Sequence, residues 1–224
     1  MPHQRFTAGL LGGLLAALSA AVWADGSATW GAGGQSMSIA WRDAQTVRMD
    51  VQGGDYMLVR DGNAYMVSHR GGQPMVIDLS AMRQAMGGMA GSAGPAAPAA
   101  GPSGGDALVE IEATGRTETV AGIEGEIYRV VYRDDGGQGT QEMVLSDDPL
   151  AVEMTQAWFA AIAALSGGNG GADADRMDRE LAERGLGLLR AGDDFKVSSI
   201  SAGARAAGDF ELPAEPQAMP GMGR

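Results

Sequence analysis

The sequence predicts an α+β fold in which an antiparallel sheet is covered by one main helix and a second, more charged one. Three observations lead there. Residues 46–79 run through four short segments of alternating apolar and polar side chains separated by glycine- and asparagine-bearing turns, the period-two signature of strands with one dry face. A second alternation of the same kind fills residues 108–145. Beyond it, Leu150, Met154, Trp158, Ile162 and Leu165 recur at spacings of three and four, which lays one apolar stripe along a helix.

Taken in order, residues 1–24 predict a signal peptide. His3 and Arg5 precede an apolar run from Phe6 to Val22, and Val22-Trp23-Ala24 is a small-x-small pattern that places cleavage between Ala24 and Asp25. A run of about 17 residues that contains Gly9, Gly12 and Gly13 is short for a bilayer span. The expected address is the periplasm or the medium, with no stable membrane anchor after cleavage. The chain has no cysteine, so it forms no disulfide and carries no acylated cysteine. About 200 residues remain, enough for one domain with a sizeable core.

Charge narrows the partners. Loss of Arg5 with the leader takes the net charge from −12 to −13. Such a surface repels phosphate backbones and anionic head groups, which argues against nucleic acid and against membrane-surface binding.

Residues 25–86 predict a first antiparallel meander. A glycine-rich lead, Asp25 to Gln35, enters a strand at Met37 to Trp41 in which Met37, Ile39 and Trp41 share a face. Val47, Met49 and Val51 then alternate with Thr46, Arg48 and Asp50, and Met75, Ile77 and Leu79 repeat the pattern in the last strand. The intervening turns hold the Gly and Asn that positive φ requires. Ser80 to Gly88 reads as a short helix with Met82, Met86 and Met89 at spacings of three and four. Residues 87–106 are Gly, Ala, Pro and Ser and predict a flexible linker within the domain, because nothing there buries enough apolar area to offset ordering entropy.

Residues 107–212 predict the second meander, two helices and a closing strand. Strands are expected at Leu108 to Thr114, Thr117 to Val120, Ile127 to Arg133 and Thr140 to Leu145. Asp148-Pro149 is a helix start, with the carboxylate capping free amides and proline at the first helical position. That helix should end before Gly167-Gly168 and cover the dry face of the sheet. A second helix, Asp173 to Arg184, carries Met177 and Leu181 on one side. Phe195 to Ile200 reads as the closing strand, Phe210 and Leu212 pack at its edge, and residues 213–224 form a frayed tail.

Chemistry-bearing residues are sparse. Past the leader His69 is the one histidine, and neither Ser146 nor Ser166 has a histidine near it in sequence, which disfavours hydrolytic and zinc chemistry. A non-enzymatic protein without catalytic residues or cofactor is expected. The acidic pairs at 134–135, 147–148 and 193–194 sit where capping and solvation account for them. Residues 167–175 approach a calcium nonapeptide, but Ala172 occupies a ligand position, and an EF-hand reading fails at Met177 and Asp178. Of 14 methionines, Met82, Met86 and Met89 have a spacing that suits Cu(I), which prefers soft ligands, with Met219 and Met222 as further thioethers. The plainer account of Met37, Met49, Met57, Met66, Met75, Met143 and Met154 is that they fill core gaps or line an adaptable apolar cavity.

The run YMLVRDGNAYMVSHRGGQPMVIDL, the later GRTETVAG followed by Tyr128-Arg129-Val130, and the MPGMGR end together resemble a family of exported bacterial proteins classed as a domain of unknown function. Its pattern is similar to the LolA/LolB-like lipoprotein carriers, and the resemblance covers most of the mature chain apart from the linker. Many such relatives carry a cysteine where Gly125 stands here, so a disulfide or redox role does not transfer. The resemblance implies a curved antiparallel sheet, a half-open barrel, with the main and second helices packed on its concave face around an apolar cavity. The expected lining is Met49, Met57, Val59, Met75, Ile77 and Trp158, and the expected ligand is a lipid, a lipoprotein acyl chain or an apolar protein segment. Two other readings stand beside it: an envelope interaction or structural protein with a closed core, which engages a partner through residues 87–105 and the tail, and a Cu(I)-binding protein.

Overall fold

The computed structural model describes residues 25–32, 35–51, 54–70, 72–85, 107–134, 137–167, 172–203 and 205–217; the leader expected at 1–24, the linker expected at 87–106 and residues 218–224 lie outside them. The alternating segments pair into one antiparallel sheet of eleven strands. The first six are β1 (Gly26–Ala32), β2 (Gln35–Asp43), β3 (Thr46–Asp50), β4 (Tyr56–Arg60), β5 (Asn63–Arg70) and β6 (Gln73–Asp78). The other five are β7 (Ala107–Val120), β8 (Ile123–Asp134), β9 (Gly137–Ser146), β10 (Gly187–Ala191) and β11 (Phe195–Ala202). Helix α1 (Leu79–Ala85) follows β6, while α2 (Pro149–Ser166) and α3 (Ala172–Arg184) lie between β9 and β10. The spatial order β6-β5-β4-β3-β2-β1-β11-β10-β9-β8-β7 makes two meanders joined where β11 pairs with β1, so the expected closing strand is the seam between them. The sheet is open, with β6 and β7 at its edges.

Register places the apolar residues rung by rung. Ile200, Ala28, Ile39, Met49, Met57, Met66 and Ile77 stand directly opposite one another from β11 through β1 to β6, an unbroken row of cross-strand pairs. Three elements differ from the expected boundaries. The glycine-rich lead is a strand, β1, in which Ala28 and Trp30 alternate inward; the Trp41 indole lies over Gly26, where a Cβ would collide with it. Strand β10 has no period-two pattern because Leu188, Leu189 and Ala191 are all buried. Strand β7 is continuous, its two expected pieces joined by a bulge between Ala113 and Thr117 at which Gly115 takes φ 72°.

The expectation of one dry face fails in the first meander. Tyr56, Met57, Leu58 and Val59 are buried in succession, so both faces of β4 are covered. The second face carries Ala40, Tyr56, Leu58, Val67 and Val76 under Phe210, with Leu212 and Ala214 alongside. The strap that brings these residues is held by charge. Arg205 pairs with Asp50 at 2.7 Å, and Arg48 bonds Asp50 at 2.8 Å while donating to the Asp209 carbonyl at 3.1 Å. The Arg48 guanidinium stacks 3.6 Å from the centre of the Tyr56 ring. The Gln217 N–H donates to the Val76 carbonyl at 2.8 Å. Of the tail expected to fray from 213 on, Ala214 is packed and Gln217 is bonded to an edge strand.

Helix α2 begins as its sequence requires. The Asp148 carboxylate accepts the N–H of Leu150 at 2.9 Å and of Ala151 at 3.4 Å, and Gly167 closes the helix in the left-handed conformation at φ 69°. Eighteen residues give about 27 Å of helix. Strands β10 to β5 cover about 29 Å at their usual spacing, and α2 touches β10, β11, β1, β2, β3 and β5. It crosses the strands on the face that holds the larger core. Ala151, Met154, Thr155, Ala157, Trp158 and Ala161 are buried there, whereas Leu150, Ile162 and Leu165 of the expected stripe are only partly so. At the far end the sheet coils: Glu118 of β7 reaches Arg190 of β10 at 3.0 Å and Lys196 of β11 at 3.4 Å, which a flat sheet would hold about 14 to 19 Å away.

Two outcomes follow. A Cβ on Gly187 would run into the backbone carbonyl of Ala151, so Gly187→Ala should lower stability by about 1–3 kcal/mol, read as a lower urea midpoint at unchanged slope. Burial raises the Tyr56 phenol above its ordinary pKa, against the neighbouring Arg48 charge and with Asp50 and Asp209 adding to the rise. The neutral phenol is then favoured in the folded state, so its contribution is intact below about pH 10 and is lost as pH climbs through the raised value. Alkaline unfolding should be shallower in Tyr56→Phe than in the parent, as measured by denaturation between neutral pH and pH 11 or so.

Candidate functional site

Four of the six residues expected to line a cavity, Met49, Met57, Val59 and Trp158, belong to one buried cluster under α2 and are at most 6% exposed. Ile77 packs against that cluster while partly exposed. Met75 is partly buried opposite Ser68 and stands outside it. Met82 of α1 also packs on the cluster, and the other two thioethers of the copper candidate, Met86 and Met89, lie outside the described residues. The Asp25 backbone carbonyl accepts the Gly203 N–H at 2.7 Å; Ala24 lies outside the description.

The space around Trp158 is small. Trp30, Ile39, Met154, Thr155, Leu188 and Phe195 enclose with it a void of about 10 Å³, close to the least that holds one water. Trp30 meets Trp158 edge-on, with ring centres 4.9 Å apart, and Phe195 leans on Trp30 at 5.8 Å. The indole N–H groups of Trp30, Trp41 and Trp158 are buried without an acceptor. A donor left so typically costs about 1–3 kcal/mol. Trp30 has a signal in the alternation Ala28-x-Trp30, obscured by the glycines around it. Leu188 and Phe195 give no local signal, because their role comes from the β10–β11 return.

The two halves of α2 are held differently. At the N-terminal half the Thr155 hydroxyl accepts the Leu188 N–H at 2.7 Å and donates to the Ala151 carbonyl at 2.9 Å, and Gly187 brings β10 against the Ala151 backbone. At the C-terminal half Ala160, Ala163 and Ala164 stand across an open groove of about 540 Å³ from Val59, the Ala44-Gln45 turn and the Asp61-Gly62 turn. That volume lies in the range of small-molecule pockets. Alanine methyls on one wall and Val59 on the other face the groove together with Asp61 and Gln45.

Elsewhere the polar side chains are engaged structurally. Ser146 donates to the Glu124 carbonyl at 2.7 Å, Ser166 donates to the Ala163 carbonyl at 3.2 Å, and the Asp55 carboxylate accepts the backbone N–H of the exposed His69 at 3.2 Å. Among the described residues no three His, Asp or Glu side chains gather as a metal site would. A Cβ at Gly125 would lie 2.7 Å from Val144 Cγ1 and 2.8 Å from the Leu145 carbonyl oxygen, so the packing here leaves no room for a cysteine. In comparisons with known proteins, no family model, no curated protein and no solved structure matches the chain.

Thr155→Val keeps the shape of the side chain but leaves the Leu188 N–H buried and unpaired. It should cost about 1–3 kcal/mol in chemical denaturation, whereas Ser166→Ala, at the other end of the helix, should be nearly neutral.

Proposed function

We propose that the protein is a non-enzymatic, LolA/LolB-like binder of apolar ligands in the cell envelope, exported by its leader to the periplasm or beyond. In this reading the eleven strands form a half-open barrel with α2 across its concave face and α3 beside it, and a lipid or lipoprotein acyl chain enters between α2 and the sheet. The observation that carries the reading is the unequal fastening of α2: hydrogen-bonded and closely packed against β10, and separated from the β4–β5 turn by the groove at its alanine-lined end. A chain entering that groove meets Val59, in the same core cluster as the Met49, Met57 and Met66 row, whose flexible thioethers can repack around ligands of different shape.

A second reading, an envelope interaction protein with a closed core, draws support from the void of about 10 Å³ at Trp158, which holds no acyl chain without movement of the helix. The two readings part on uptake of ligand. Ala163 is exposed and faces the groove, so Ala163→Trp should fill it without disturbing the core. Binding of a fluorescent long-chain acyl probe should weaken at least tenfold in this variant with the unfolding midpoint unchanged. Absence of probe binding by the parent protein would defeat the carrier reading, and equal binding by parent and variant would take the ligand out of the groove.

A further inference from the structure

The first meander gathers methionines that stand apart in the sequence. Met49, Met57 and Met66 are neighbours across β3, β4 and β5, and all three pack in or against the larger core. The hydrogen-bond pattern tells which two lie closest. The Val51 N–H donates to the Asp55 carbonyl at 3.1 Å, which makes Met49 and Met57, two rungs on, a hydrogen-bonded pair. From the other side, Val76 turns its carbonyl outward to Gln217, so Ile77 bonds inward to Met66. By either route alternation leaves Met57 and Met66 as a non-hydrogen-bonded pair, with Cα atoms about 4.5 Å apart and side chains at their nearest.

A third thioether comes from α1. The Ser80 hydroxyl accepts the Ala64 N–H at 3.4 Å, which seats the start of α1 over β5 two residues from Met66. Leu79 and Met82, three apart, share the side of α1 that packs on the same core. Met82, grouped by chain spacing with Met86 and Met89, is thus set by the fold on the patch that holds Met57 and Met66. This face of β4, β5 and β6 also carries Val59, Ala64, Ser68, Met75 and Ile77, and no carboxylate or imidazole. Zinc, calcium and magnesium, which want those groups, find no ligands here. Thioethers select Cu(I). Ser68, opposite Met75, is 6% exposed and its hydroxyl has no partner among the described residues, so an oxygen lone pair also stands beside the sulfurs. Met66 and Met82 are partly exposed, so an ion reaching them keeps some of its hydration, and a single positive charge is the least that burial penalises.

We infer that Met57, Met66 and Met82 form a binding site for Cu(I), held by three thioether sulfurs. Each of these side chains turns about three bonds, which lets sulfurs on adjacent strands converge on one ion. Thioethers carry no proton at neutral pH, so uptake releases none, unlike uptake by thiol or imidazole ligands. The site does not rest on the apolar-ligand reading, whose groove lies at the Ala44-Gln45 and Asp61-Gly62 turns.

The test is a titration of the full chain, carrying carbon-13 in its methionine methyl groups, first with Ag(I), the air-stable analogue, and then with Cu(I) under reducing conditions against a colorimetric chelator. One equivalent should move the methyl resonances of Met57, Met66 and Met82 and leave those of Met143 and Met154 in place. Affinity should be flat between about pH 5 and pH 8, where a histidine ligand would titrate. Met57→Leu, Met66→Leu and Met82→Leu are volume-conserving swaps. Each should weaken binding at least tenfold while the melting temperature stays within a few degrees of the parent. The double variant Met86→Leu, Met89→Leu should bind as the parent does. Should Met57→Leu fail to fold, the methyl shifts in the parent and the Met82→Leu affinity decide. Absence of stoichiometric uptake by the parent would overturn the assignment, as would uptake that survives Met57→Leu and Met66→Leu. Uptake lost only in Met86→Leu, Met89→Leu would overturn it too, by moving the ion to the segment after α1. None of these results decides whether an acyl probe binds the groove, so the two readings fail separately.

Discussion

The Thr155 hydroxyl fastens the crossover helix to the sheet. Its bonds to the Leu188 N–H and the Ala151 carbonyl tie α2 to β10, the strand to which the chain returns after two helices. Buried as it is, this link must stay satisfied in the folded protein. Gly187 allows the approach by having no side chain, and Trp30 sets its edge against Trp158 one turn further along α2. This attachment, with the packing of Met154, Ala157, Trp158 and Ala161, holds α2 on the sheet. Beyond Trp158 the face toward the β4–β5 turn is mostly alanine, which fills little space and interlocks with little. A helix so built is tied at one end by a polar bond and close backbone contact, and at the other it packs through Phe159, Ala161, Ile162 and Leu165 with the alanine-lined groove beside them.

The remaining architecture covers the second face of the sheet and manages its edges. The first meander is covered on its second face by the strap from Arg205 to Gln217, whose arginine, phenylalanine and backbone contacts shield an apolar patch that would otherwise meet water. The two edges are managed differently. Gln217 bonds to β6, whereas β7 carries a bulge at Gly115 and exposed acids at Glu110 and Glu112, features that discourage pairing with another sheet. Glu118, with Arg190 and Lys196 around it, draws the end of β7 back toward β10 and β11.

Much of this was legible in the sequence, and the reasons for the rest are physical. The strands from Thr46 to Asp78 could be read because turn residues bound them and their inward positions alternate. The start of α2 could be read because Asp148 and Pro149 act locally. Strand β10 could not, since a run buried on both faces has no period, and β1 is masked by its glycines, of which Gly26 makes room for the Trp41 indole. The second dry face was hidden for another reason: Arg48 and Asp50 look like solvent residues, and only the distant Arg205 and Asp209 reveal that they clamp a strap. For the site, Met49, Met57, Val59 and Trp158 were found by face, but the groove itself depends on alanines at 160, 163 and 164, whose significance lies in what they leave empty. The acceptor-less indoles are a property of packing and have no signature in the chain.

The most direct measurement is native-state hydrogen exchange along α2, because it compares the two ends of one helix in one experiment. Amides from Met154 to Trp158 should exchange only through global unfolding, while those from Ala161 to Leu165 should open at a distinctly lower free energy and become protected when a long-chain acyl probe is bound. Equal protection along the whole helix, unchanged by the probe, would contradict a helix that is fastened at one end and opens at the other.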